Sequence, residues 1–155
     1  MKVYLAGKVE GRKWQVVKGR SSVEWVSSDG TNHSEHLWGG GFSPWDRIGS
    51  YDLRPTVTEQ VVGNLRSCQR LVAYVDTPDA YGTIAEIATM AALQKPCFMV
   101  VLMPYDPDDE GWSEEAERMA DAYWLVSCLP GVQSVTVDTE AGAVDVVHGY
   151  LLGLT

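Results

Sequence analysis

The 155-residue chain is predicted to form an α/β fold on a mostly parallel β-sheet. Strand-length apolar runs alternate with helix-periodic segments along the chain. Two of those runs are almost continuously apolar, as strands covered on both faces must be. The composition, 45% hydrophobic and 21% charged, is that of a globular protein with an ordinary core.

In chain order, the first strand is "VYLAG", Val3 to Gly7, ended by glycine. The second, "VEWVSS" from Val23 to Ser28, alternates apolar and polar residues and reads as an edge strand. Val57, Val61 and Leu65 mark a helix before the third strand, "RLVAYVD", Arg70 to Asp76. Ile84, Ile87, Ala88 and Ala91 fall at i, i+3, i+4 and i+7, one apolar helix face, and Gln94-Lys95-Pro96 ends that helix. The fourth strand is "CFMVVLM", Cys97 to Met103. Ser113 is placed to cap the next helix, whose first turns hold three glutamates and on which Ala116, Met119, Ala120, Tyr123 and Ser127 sit on one side. "SVTVDT", Ser134 to Thr139, alternates like a second edge strand, and Val144, Val147, His148 and Leu151 mark a last helix in which His148 is structural.

The length fits one domain spanning 1–155. The formal net charge of −9 disfavours polymeric nucleic acid or an anionic membrane as a partner, though a local pocket can still take one small anion. Cys68, Cys97 and Cys128 are widely spaced and odd in number, so no disulfide framework or zinc site is expected and a cytoplasmic setting fits best. No apolar stretch approaches the ~20 residues of a membrane-spanning helix. No cofactor is expected.

A parallel sheet binds ligands beyond the C-terminal ends of its strands. That rule gathers "AGKVEG", "SSDG" and "DTPDAYGT" on one rim. On the third of these, Asp76 closes a central strand and Asp79 is positioned to cap the following helix. Gly82 leaves bare backbone for close approach, and Thr83 and Glu86 share a face apart from the Ile84/Ile87 face. A rim glutamate with further carboxylates beside it suits nucleophilic or general-base chemistry such as glycosyl transfer. The same pattern is met in helices whose Glu is simply solvated and whose Asp is simply a cap. Gly7, Lys8 and Trp14 belong to the first loop, where a glycine turn at a helix start can cradle a phosphate or ribose; "YLAGKVEG" is neither a P-loop nor a dinucleotide fingerprint. Residues 29–55 form a long glycine-rich loop with Trp38, Trp45 and Phe42, expected to cover the site. Its Asp29, His33, Glu35 and His36 do not have the spacing of a helical metal motif, and Asp29, His33 and His36 are expected to contact substrate rather than metal.

Two segments resemble the nucleoside 2-deoxyribosyltransferase-like family. "MKVYLAG" is similar to its first strand and following loop, and "DTPDAYGTIAEIATMAALQKP" to its Asp-x-x-Asp-x-x-Gly-Thr-x-x-Glu motif ending in Lys-Pro. The resemblance spans most of the chain and implies a doubly wound, flavodoxin- or Rossmann-like five-stranded parallel sheet sandwiched by helices. It also implies cleavage of the N-glycosidic bond of a nucleoside or its 5′-monophosphate, with the sugar passed to another base or to water. It makes Glu86 the nucleophile, Asp76 and Asp79 the groups that hold base or sugar hydroxyls, and Tyr4 the residue that orients the nucleophile, unless Tyr4 simply packs in the sheet. It implies a homo-oligomer. Lys8 stands where many members have Pro, and Ala88 where many have Gly. A phosphate contact at Lys8 would favour nucleotides, and Lys8→Met should then impair monophosphate substrates while sparing nucleosides. The alternative reading on the same fold is a nucleotide-binding or sensing module without turnover.

Overall fold

The computed structural model describes residues 1–7, 17, 19, 23–27, 61–103 and 113–154. Five strands lie in one sheet: β1 (Lys2–Gly7), β2 (Glu24–Ser27), β3 (Arg70–Val75), β4 (Cys97–Leu102) and β5 (Val132–Val137). Every pairing is parallel and the order is β2-β1-β3-β4-β5. Helices with described bounds are α1 (Gly63–Ser67), α2 (Tyr81–Ala92), α3 (Glu114–Ser127) and α4 (Glu140–Leu152). This is the predicted α/β class, a parallel sheet wound on both faces.

Successive strand residues point to opposite faces, and in the central strands both faces are apolar. Tyr4 and Ala6 of β1, Leu71, Ala73 and Val75 of β3 and Met99 and Val101 of β4 join Leu65 of α1, Ile87 and Met90 of α2 and Met119, Tyr123 and Val126 of α3 in one core. Val3, Leu5, Val72, Tyr74, Phe98 and Val100 face the other way onto Val17 and onto Ala143, Val147 and Leu151 of α4. The two alternating runs are the two edges: β5 exposes Gln133, Ser134 and Thr136, and among the described strands β2 pairs only with β1.

Boundaries moved where local hydrogen bonding decided them. β5 begins two residues earlier than the alternation suggested, because Val132 already pairs with Cys97. Ser113 caps α3 as expected, its Oγ accepting from the Ala116 N–H at 3.1 Å. Thr139 caps α4 in the same way, accepting from Gly142. Lys95 ends in the three carbonyls left open at the end of α1: its ammonium donates to Leu65 O at 3.2 Å, to Cys68 O at 2.6 Å and to Arg66 O. A cation there neutralises the negative end of the helix. The Lys-Pro pair is therefore a tie between α1 and the start of β4.

Candidate active site

With β1 between β2 and β3, the chain leaves β1 for one side of the sheet and returns to the other, so the switch point lies between the ends of β1 and β3. Gly7 and Tyr74 are paired there. Gly7 has φ +83°, and a Cβ on it would stand 2.0 Å from the Tyr74 carbonyl oxygen. Only glycine lets the two strand ends approach this closely. One residue beyond β3 comes Asp76, half-buried at the mouth of the crevice.

The central feature joins the two sequence anchors. The Tyr4 hydroxyl, on a fully buried residue of β1, donates to Glu86 Oε1 of α2 at 2.7 Å. The two residues lie 82 positions apart. α2 packs across β1 and β3, and this places the half-buried Glu86 over the phenol near the switch point. A buried tyrosine needs a partner for its hydroxyl. Here that partner is a carboxylate that remains partly open, and the hydrogen bond fixes which way it points.

Two expectations are corrected. Thr83 does not share an outward face with Glu86: it is 7% exposed and lines the inward stripe of α2 with Ile87 and Met90. The i, i+3 spacing fixed the angle between Thr83 and Glu86, while packing on the sheet rolled the helix so that the small Thr83 faces in and Glu86 lies on the flank. Ile84, Ala88 and Ala91, expected on the core face, are only partly buried for the same reason. Asp79 does not cap α2 either. The cap position is Ala80, no side chain caps the helix, and Asp79 is exposed, giving only its backbone carbonyl to the Tyr81 N–H at 2.8 Å. Its carboxylate stands at the rim. Gly82 is exposed, and a Cβ there would meet nothing within 4 Å.

Tyrosines on both faces register these carboxylates. Burial raises the Tyr74 phenol above its usual range, and Asp76 and then Glu140 raise it further. Burial pushes the Tyr123 phenol up to about 12; the Ala80 N–H acts in the opposite direction, and Asp79 and Asp76 add to the rise. Asp76 therefore sits at the sheet end, felt from either side. The Tyr123 hydroxyl donates to Thr77 O at 2.6 Å. Sequence reasoning placed Tyr123 only in a helix stripe, although a hydroxyl on a buried stripe is itself a signal that a polar partner lies opposite. Glu140, the first residue of α4, was also missed as a rim carboxylate.

Lys8, Trp14, Asp29, His33, His36 and the loop 29–55 lie outside the described residues. Among the described residues no group of His, Cys, Asp and Glu is arranged to hold a metal ion, and no helix is long and apolar enough to cross a membrane.

No family model matches the chain, and no curated protein matches it. A solved structure does: that of the CMP N-glycosidase BcmB of Clostridium botulinum, with a TM-score of 0.55 and 12% identity over 95% of this chain and 98% of that one. At that identity the likeness establishes the fold over nearly the whole of both chains.

Proposed function

We propose that the protein cleaves the N-glycosidic bond of a nucleoside or its 5′-monophosphate, with Glu86 as nucleophile. The observation that carries this is the 2.7 Å hydrogen bond from Tyr4 to Glu86, on the helix that follows the turn carrying Asp76 and Asp79. A carboxylate held in one orientation by a buried donor, yet still half open to the rim, is suited to attack an electrophilic carbon.

In the proposed reaction a Glu86 carboxylate oxygen bonds to C1′ as the C1′–N bond breaks. The bonding pair leaves with the base nitrogen, which takes up a proton. Asp76 and Asp79 hold the base or the sugar hydroxyls. Water, or the nitrogen of a second base, then attacks C1′ from the other side, releases Glu86 and gives up a proton. Two displacements retain the anomeric configuration. The fold shared with a CMP N-glycosidase supports this class of reaction, and its name favours a monophosphate within that class.

The test is release of free base from a panel of ribo- and deoxyribonucleosides and their 5′-monophosphates, with and without an acceptor base, beside Glu86→Gln. Release by the native protein that vanishes in the variant supports the proposal and identifies the substrate; release that survives Glu86→Gln refutes the nucleophile. Absence of release from every compound, together with thermal stabilisation by one of them, would instead favour a binding module.

A further inference from the structure

We infer that Tyr123 is a positioning residue for the candidate site: from α3 it closes the turn that carries Asp76 and Asp79 and sets the start of α2. The catalytic meaning of this rests on the reading proposed above. The restraint itself rests on geometry.

The turn between β3 and α2 lacks the usual local device. α3 and α4 each begin at a hydroxyl residue that accepts from its own first turn. α2 begins at Ala80, and no side chain caps it. The backbone of this turn carries two carboxylates and leads into the helix that bears Glu86. Something else must hold it.

Tyr123 reaches it from the neighbouring helix. Its hydroxyl donates to Thr77 O at 2.6 Å, across 46 positions of sequence. The hydroxyl thus fixes the carbonyl at the start of the Thr77–Ala80 turn. The tie is supplied from a different part of the chain. Tyr123 is 3% exposed, so water does not compete freely for this contact. The ring also lines a cavity of about 240 Å³ with Met99, Val101, Met103 and Met119.

The consequence separates Tyr123 from Tyr4. Glu86 is held directly by Tyr4, so loosening the Thr77–Ala80 turn displaces Asp76 and Asp79 more than the nucleophile. Substrate holding suffers first and the chemical step less.

The experiment is Tyr123→Phe, which keeps the ring and removes only the hydroxyl. Base-release kinetics are measured below the unfolding temperature, and amide hydrogen exchange is followed across residues 70–92 in native and variant. The expected result is a KM raised about tenfold, the worth of one hydrogen bond, with kcat within about threefold of native. Exchange should accelerate at Thr77–Ala80 while β3 keeps its protection. A variant with a lowered melting temperature but native KM and native exchange in the turn would make Tyr123 merely structural and overturn the inference. Should the native protein release no base from any substrate, the functional reading falls, and the exchange data alone decide whether Tyr123 restrains the turn. Should Tyr123→Phe fail to fold, Thr77→Gly, which loosens the same turn without touching the core, must reproduce the KM effect, and an unchanged KM there refutes the inference.

Discussion

Gly7→Ala should be among the most damaging single substitutions at the rim, although it adds one methyl group. Two costs combine. The φ of +83° is left-handed, a conformation that costs an L-residue about 1–2 kcal/mol. The new Cβ would also lie 2.0 Å from the Tyr74 carbonyl oxygen and 3.0 Å from its carbon. Those are backbone atoms of the paired strand, so no rotamer change relieves the contact. The ends of β1 and β3 must part by roughly 1 Å or more to regain van der Waals distance, at the loss of about one ladder hydrogen bond, roughly 1 kcal/mol. Alanine narrows the unfolded ensemble and returns about 0.4–1 kcal/mol. The net is about 1–2.5 kcal/mol, and for a chain of this length that is a fall in melting temperature of roughly 3–10 °C. Gly149→Ala is the control: it lies within α4 with nothing within 4 Å of the added Cβ, and should raise stability by up to about 1 kcal/mol. The assay is thermal unfolding followed by circular dichroism, with urea midpoints beside it. A Gly7→Ala melting temperature within 2 °C of native would refute the close strand approach on which the site geometry depends.

Tyr4→Phe removes the hydrogen bond to Glu86 and should lower kcat for base release roughly 10- to 100-fold, the worth of a hydrogen bond to a charged group, with KM nearly unchanged; an unaltered kcat would remove Tyr4 from the mechanism. Lys95→Met leaves the α1 carbonyls without their cation and should cost about 1–3 kcal/mol in urea unfolding with little change in the kcat of the folded protein. Cys128 is exposed, whereas Cys68 and Cys97 are buried and burial pushes the Cys97 thiol up to about 11, so a thiol reagent should label one cysteine promptly in the native state and all three only after unfolding. The Tyr123 phenol, raised by burial from 10.0 to about 12, holds stability that is complete below pH 10 and lost as pH rises towards 12, because the unfolded state releases its proton first; urea midpoints should fall across that range, less steeply in Tyr123→Phe, and equal slopes would contradict the assignment.

Local chemistry was enough to read much of this protein. Period-two and near-continuous apolar runs in the sequence distinguished edge strands from central ones, because a strand's burial is written in its own residues. Alternation with helical stretches required a parallel sheet, and a parallel sheet required a rim that gathers the ends of β1 and β3 with Asp76 and the start of α2. The Ser113 cap was legible for the same reason: donor and acceptor are three residues apart.

Tertiary structure decided what depends on how elements are rolled and placed. Spacing fixed the angle between Thr83 and Glu86, but only the seating of α2 on the sheet could turn Thr83 inward and set Glu86 over β1. Asp79 had the residue type of a cap, yet the helix starts one residue later and its turn is held instead by Tyr123, 46 positions from Thr77. Lys95 read as the end of a helix and proved to close a different one, 27 to 30 positions upstream. These contacts share one property. Each joins residues far apart in sequence, and their distance is set by strand order and register, which no local pattern of polar and apolar residues records.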